Sequence, residues 1–197
     1  MFNSFDAVDD ILNNIEAINT FLLDAEKYYA HVSPKNISNP LAPETLQEHI
    51  ELVLEKFKTL CKLHEIDAVI DSLINGLLKK NKLENDIKTG NFIKKLFVNT
   101  VVFHDFGKIN ENFQASVDKM NNPHFRGKER QSVISTHHSA LGAYLYIVKH
   151  LEEVNTFEPK EKGLLSLCVL ILSYPIFKHH AKYLNDEYRQ TIGFSVE

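Results

Sequence analysis

Val101-Val102-Phe103-His104-Asp105-Phe106-Gly107-Lys108, with Ile109-Asn110-Glu111-Asn112-Phe113-Gln114 directly after it, is the stretch that decides how this chain is read. An apolar run of helical character ends in an adjacent imidazole and carboxylate, and the glycine that follows is placed to stop the helix as a left-handed cap. Imidazole nitrogen and carboxylate oxygen are ordinary ligands for zinc, manganese, iron, nickel and cobalt. Neighbours on a helix point about 100° apart, so His104 and Asp105 suit an arrangement in which His104 holds one ion and Asp105 leans between two. An isolated His-Asp pair would read as a surface helix end, with a histidine near the negative end of the helix dipole. The rest of the chain shifts the reading toward a dinuclear centre.

The 197 residues are enough for one domain with a sizeable core. A hydrophobic share of 44%, with only 7 Gly and 6 Pro, fits a compact and mostly helical globule. A formal charge of -4 and a pI near 6.2 argue against a general electrostatic nucleic-acid binder. A polyanion would have to be gripped locally, with metal ions supplying positive charge. Cys61 and Cys168 fall in apolar helical runs and read as buried, reduced thiols, with no zinc-type cysteine spacing. The chain opens without a basic-then-apolar segment, and no apolar run approaches ~18 residues. It reads as a soluble cytoplasmic protein with no membrane partner.

The remaining sequence supplies helices and histidines. Ser4 is expected to cap a first helix, on which Phe5, Val8, Ile11, Leu12, Ile15, Ile18 and Leu22 repeat at helical spacing. Residues 28–43 carry Pro34, Pro40 and Pro43 and read as a loop bearing His31. A second helix begins after Pro43, with Leu46, His49, Ile50, Val53, Leu54 and Phe57 on one face; taken alone, His49 there reads as a hydrogen-bonded core histidine. A third, over residues 66–80, carries the stripe Ile66, Val69, Ile70, Leu73, Ile74 and Leu77, with Lys79 and Lys80 at its C-terminus. A polar linker through Gly90 leads to a fourth helix, 92–106, which delivers the His-Asp pair, and 110–120 reads as a short helix. The turn-rich basic loop 121–130, with Arg126, Lys128 and Arg130, reads either as a solvated connector or as a strip that contacts phosphates.

Ser135 or Thr136 is expected to cap the next helix, with Leu141, Tyr144, Leu145 and Val148 on its inner face. His138 lines up with Leu141 and Leu145, whereas His137 is turned away and stands in reserve. The run 159–173 is apolar almost all round and reads as a central buried helix, bent or ended by Pro175 before Phe177-Lys178-His179-His180. Of the ten histidines, His49, His104, His138, His179 and His180 lie on or at the end of inward-facing helical stretches. With Asp105 they can offer two ions three or more donors apiece, with coordination positions to spare. His31, His64, His124 and His150 have polar settings and read as surface residues.

In this order, His49 within Glu44-Thr45-Leu46-Gln47-Glu48-His49, then His104-Asp105-Phe106-Gly107-Lys108 with Phe113-Gln114, then His138-Ser139-Ala140-Leu141-Gly142-Ala143, then His179-His180, the chain resembles the HD superfamily. Within it, the likeness is greatest to the nuclease domain of the CRISPR-associated helicase-nuclease of type I interference systems, over about residues 45–180. That resemblance implies an all-α HD-domain helical bundle and metal-dependent endonuclease or exonuclease cleavage of single-stranded DNA in antiviral defence. It puts His49 and His104 on one divalent transition-metal ion, His138, His179 and His180 on a second, and Asp105 between them. The ions would be Mn, Fe, Ni, Co or Zn, with Mg also admissible. Asp105 and Lys108 become the catalytic candidates, and Lys108, Arg126, Lys128 and Arg130 the substrate contacts. The implied partners are single-stranded DNA, a helicase portion in the same or a separate chain, and a crRNA-guided surveillance complex.

Two departures stand out. The family adds a later Asp to the first metal site, where this chain offers only Asp186, Glu187 and Glu197, and there is no Gly-Lys-Ser/Thr phosphate loop. The chain therefore reads as a truncated HD domain, a piece of a longer helicase-nuclease, with an incomplete first site. The alternatives are an HD phosphohydrolase acting on nucleotides or cyclic nucleotides, and a non-catalytic helical docking module.

Overall fold

The computed structural model describes residues 4–13, 25–34, 38–127 and 137–180. Within them the fold is all-α: α1 (Val8–Asn13), α2 (Leu46–Leu63), α3 (Ile66–Lys80), α4 (Ile87–Phe103), α5 (Glu111–Ala115), α6 (His138–Val154) and α7 (Pro159–Lys178). One antiparallel pair, β1 (Tyr29–His31) with β2 (Glu44–Thr45), is added to them. Among the described residues no helix is long and apolar enough to cross a membrane.

Local chemistry sets the helix starts. Thr45 and Glu48 form a reciprocal capping box on α2, the Glu48 amide donating to Thr45 Oγ1 at 3.2 Å and the Thr45 amide to Glu48 Oε2 at 2.9 Å. Asp86 accepts from the Thr89 amide and starts α4 at Ile87, three residues before Gly90. Gly90 is thus not a linker residue. It lies inside α4, where the Phe5 ring occupies the place that a Cβ would take. Ser4 does not cap α1: the helix begins at Val8, whose amide donates to Asp67 Oδ2 of α3. The continuation of that stripe through Ile15, Ile18 and Leu22, and the cap at Ser135 or Thr136, lie outside the described residues.

α4 is the central helix. It packs against α1, α2, α3, α6 and α7, burying Phe92, Ile93, Leu96, Val98, Val102 and Phe103. Buried Lys94 joins it to α3 through an ion pair with Asp67 and a 2.6 Å contact with Asp71. α6 and α7 form a helical hairpin against it, and Tyr146 donates its hydroxyl to the Leu96 carbonyl at 2.9 Å.

Three inner faces differ from the sequence reading. On α3 the buried line is Ile70, Ile74 and Leu78, while Val69 and Leu73 are exposed. On α6 it is Gly142, Ala143, Tyr146, His150 and Val154, leaving Tyr144 and Val148 in solvent. α7 is not buried all round: Leu167, Leu170, Ile171 and Tyr174 face outward. His150, expected at the surface, is 0% exposed; Cys61 and Cys168 are buried free thiols as expected.

Candidate metal centre

His104 and Asp105 form the turn that ends α4, and the chain then tightens into a 3-10 turn over Phe106–Ile109. Gly107 does not adopt the left-handed conformation of a helix cap; Gly127, φ 72°, is the positive-φ glycine of the described residues. Its small size serves a close approach instead. A Cβ on Gly107 would collide with the His138 carbonyl and stand 2.7 Å from the Gly142 amide, so only glycine lets the first turn of α6 lie directly on the His-Asp turn. Pro175 does not end α7, which runs on to Lys178 and sets His179 and His180 at its C-terminal end.

The side chains named from the sequence meet around Asp105. His49 Nε2 is 3.1 Å from Asp105 Oδ2 and 3.3 Å from His104 Nε2. On the other side, His179 Nε2 and His138 Nε2 lie 3.2 and 3.4 Å from Asp105 Oδ1. His180 Nε2 is 2.8 Å from His138 Nε2. His137 is exposed at the N-cap of α6. Ligand atoms of Asp105, His138, His179 and His180 lie within 4.8 Å of one another, as do those of Asp105, His49 and His31. Asp105 is the member common to both groups.

Backbone carbonyls fix which nitrogen two of the rings present. His104 Nδ1 is 2.7 Å from the Val101 carbonyl and His179 Nδ1 is 2.6 Å from that of Ile176. A carbonyl oxygen can only accept, so Nδ1 carries the proton in both rings and Nε2 presents a lone pair. Those lone pairs face a carboxylate. Acceptors set against acceptors at 3.2 to 3.5 Å are unfavourable unless a cation or an extra proton lies among them. Nitrogen and oxygen donors in this pattern fit divalent transition metals.

Asp105 is only 3% exposed. Burial works against its ionisation, but His138, His179 and His49, where they carry a proton toward it, and the Lys108 ammonium outweigh burial and hold the carboxyl well below the usual carboxylate range. Burial also pushes His104, His138 and His180 toward the neutral form, the form in which imidazole ligates, with His180 lowered to about 4. Lys108 is itself buried, donating to Asp105 Oδ2 at 2.7 Å and to the Ala30 carbonyl at 3.0 Å. Arg126 is exposed after the 3-10 turn Pro123–Phe125, while Lys128 and Arg130, like Asp186, Glu187 and Glu197, lie outside the described residues.

The loop read over 28–43 hides a strand. β1 is fastened to the His-Asp turn by buried Gln114, whose Oε1 accepts from the Tyr29 amide at 3.0 Å and whose Nε2 donates to the carbonyls of Tyr29 and Lys108. Buried Asn122 adds bonds to Gln114 Oε1 and to the Lys27 carbonyl. His31 at the end of β1 therefore faces the cluster, and Glu44 opposite it accepts from His31 Nδ1 at 2.6 Å. Sequence reasoning left both residues out because prolines dominate the segment. The aromatic Tyr28-Tyr29 beside Ala30-His31-Val32 was the available strand signal.

No curated protein and no solved structure matches the chain. A family model described as "Cas3, HD domain" matches residues 55–193, well over half the sequence, beginning just after His49 and covering the ligand-bearing ends of α4, α6 and α7. Fold, donor cluster and this match agree: the chain belongs to the family of Cas3 HD domains, metal-dependent nucleases of CRISPR defence.

Proposed function

We propose that this domain cleaves single-stranded DNA by metal-dependent phosphodiester hydrolysis, acting beside a helicase portion and a crRNA-guided surveillance complex in type I interference. The observation that carries the reading is the convergence on Asp105 of imidazoles from α2, α6 and the ends of α4 and α7, with the tautomers of His104 and His179 set by backbone carbonyls. His49 and His104 would hold one ion, His138, His179 and His180 the other, and Asp105 would serve both. When bound, such ions draw in the scissile phosphate and acidify the attacking water.

The chain's own side chains prepare the ground for that chemistry. Asp105 stays ionised and oriented because Lys108 grips it from behind, and the same ammonium adds positive potential toward a phosphate on the open side. No side chain serves as nucleophile. Exposed Arg126, with Lys128 and Arg130 that follow it in the sequence, contacts strand phosphates and fixes register. His180 is exposed, so the cluster opens to solvent, as a polymeric substrate requires. A cavity of about 760 Å³ elsewhere, lined by Lys88, Phe92, Lys95 and Phe157 among others, includes none of the ligands.

The test is degradation of circular single-stranded DNA with Mn²⁺ or Co²⁺ supplied. The wild-type chain is expected to cut and Asp105→Ala to lose at least ~10³-fold in rate, about 4 kcal/mol of transition-state stabilisation. Undiminished cutting by Asp105→Ala would refute the assignment. Phosphate release from nucleotides without DNA cutting would point to a nucleotide phosphohydrolase instead.

A further inference from the structure

We infer that His31 is a ligand of the first ion, and that Glu44 is the positioning residue that aims it. The inference rests on the metal-centre reading above and deepens it. Without His31 the two halves of the centre are unequal: three imidazoles serve the Asp105 Oδ1 side, whereas only His49 and His104 serve Oδ2. With His31, each ion has three imidazoles and one oxygen of the shared carboxylate.

Three observations support this role. First, a ligand atom of His31 lies within 4.8 Å of those of His49 and Asp105. Donors on one ion, at bond lengths of about 2.1 Å, stand roughly 3 to 4.2 Å apart. The small difference is within reach of a side chain that is half in solvent.

Second, the Glu44 carboxylate accepts from His31 Nδ1 at 2.6 Å, leaving Nε2 as the lone-pair atom. Its other oxygen lies 3.4 Å from His49 Nδ1. One carboxylate thus orients two imidazoles from behind, the usual second shell of metal-bound histidine. The geometry comes from the strand register, which pairs His31 directly with Glu44.

Third, the molecule commits a buried polar network to holding this strand in place. Gln114 and Asn122, both 0% exposed, and Lys108 tie residues 27–30 to the segment that follows Asp105. An otherwise helical domain has little other use for a three-residue strand fixed at that spot. His31 Nε2 also approaches Lys108 Nζ, but at 3.5 Å, whereas the ammonium has partners at 2.7 and 3.0 Å. That approach is too long to be its purpose.

A donor set of three nitrogens and one carboxylate oxygen selects nitrogen-preferring divalent transition metals over Mg²⁺, which favours oxygen ligands. The experiment is a Co²⁺ titration of the full chain after chelator treatment, followed by calorimetry and by cobalt absorption. Wild type is expected to bind two Co²⁺ per chain. His31→Ala should keep one at wild-type affinity and bind the other at least about tenfold more weakly, and Glu44→Gln should weaken that same ion by about tenfold. His180→Ala, acting on the other ion, should combine with His31→Ala to lower both affinities. Helical circular dichroism should be unchanged in His31→Ala, because its exposed side chain leaves no core cavity; Glu44→Gln provides the same test with every imidazole in place. Two wild-type affinities in either variant would overturn the inference and leave the metal reading intact. A wild-type chain that binds no Co²⁺ would overturn both.

Discussion

Gly107 concentrates the fold and the centre in a single residue. It packs under the first turn of α6, where a side chain would strike the His138 carbonyl and crowd the Gly142 amide. Both obstacles are backbone, so neither can rotate away, and an added methyl must push α6 off the His-Asp turn. Gly107→Ala is expected to destabilise the domain by about 3 kcal/mol and to weaken the ion held by His138, His179 and His180. Urea unfolding and Co²⁺ titration would read the two effects. Gly76, exposed inside α3 with nothing near its missing Cβ, is the control: Gly76→Ala should stabilise by up to about 1 kcal/mol. A Gly107→Ala variant as stable as wild type would mean that α6 is not seated by this contact.

The seam between α4 and α6 carries a second polar group, remote from the ions. Asn99 of α4 donates to His150 Nε2 at 3.2 Å, which leaves the His150 proton on Nδ1, toward Glu153 Oε1 at 3.4 Å; Glu153 also pairs with Lys95 at 2.7 Å. Burial pushes the His150 imidazole below its ordinary value near 6.5, and Glu153 only partly offsets this. The unfolded chain then takes up a proton that the folded one refuses, so this contribution to stability is present above about pH 6.5 and is lost as pH falls below it. Glu153 acts in a lower window. Burial opposes its ionisation, but His150 and Lys95 outweigh it and bring the carboxyl down to about 2, so its stabilisation is present above about 4.5 and is lost toward pH 2. Subtracting the unfolding free energy of His150→Gln from that of wild type at each pH should give a difference that shrinks below pH 6.5, by up to about 1.4 kcal/mol per unit. Parallel curves would show that the fold leaves the proton affinity of His150 unchanged.

The same seam shows what the sequence could and could not reveal. The ends of α3 were legible because its periodicity begins and stops cleanly at Ile66 and Lys80. The inner face of α6 was placed on nearly the opposite side of the helix, since Tyr144 and Val148 are as apolar as the residues that pack, while Gly142 and His150 look polar or small. Gly90 and Pro175 show that a residue which often interrupts a helix need not end one: Gly90 packs against the Phe5 ring inside α4, and Pro175 lies within the twenty residues of α7.

At the scale of the whole molecule, the donors named from sequence come from α2, the end of α4, the start of α6 and the end of α7, and His31 adds the strand. Their meeting was legible because five such imidazoles and an aspartate, in the order of a known family, outweigh the core-histidine reading that each would carry alone; His31 was not, because its position depends on long-range hydrogen bonds from Gln114 and Asn122 that local pattern does not encode. A centre assembled from such distant segments exists only in the folded chain, so ion binding is linked to folding. Each site filled at a hundred times its dissociation constant adds about 2.7 kcal/mol, and two add about 5. For a domain of this length that corresponds to roughly 10 to 20 °C in Tm. Melting with Co²⁺ and with chelator should differ by that amount in wild type, by about half in His180→Ala, and hardly at all in Asp105→Asn, which removes the shared carboxylate. Equal melting temperatures with and without Co²⁺ in the wild-type chain would mean that the imidazoles around Asp105 are held there by packing alone.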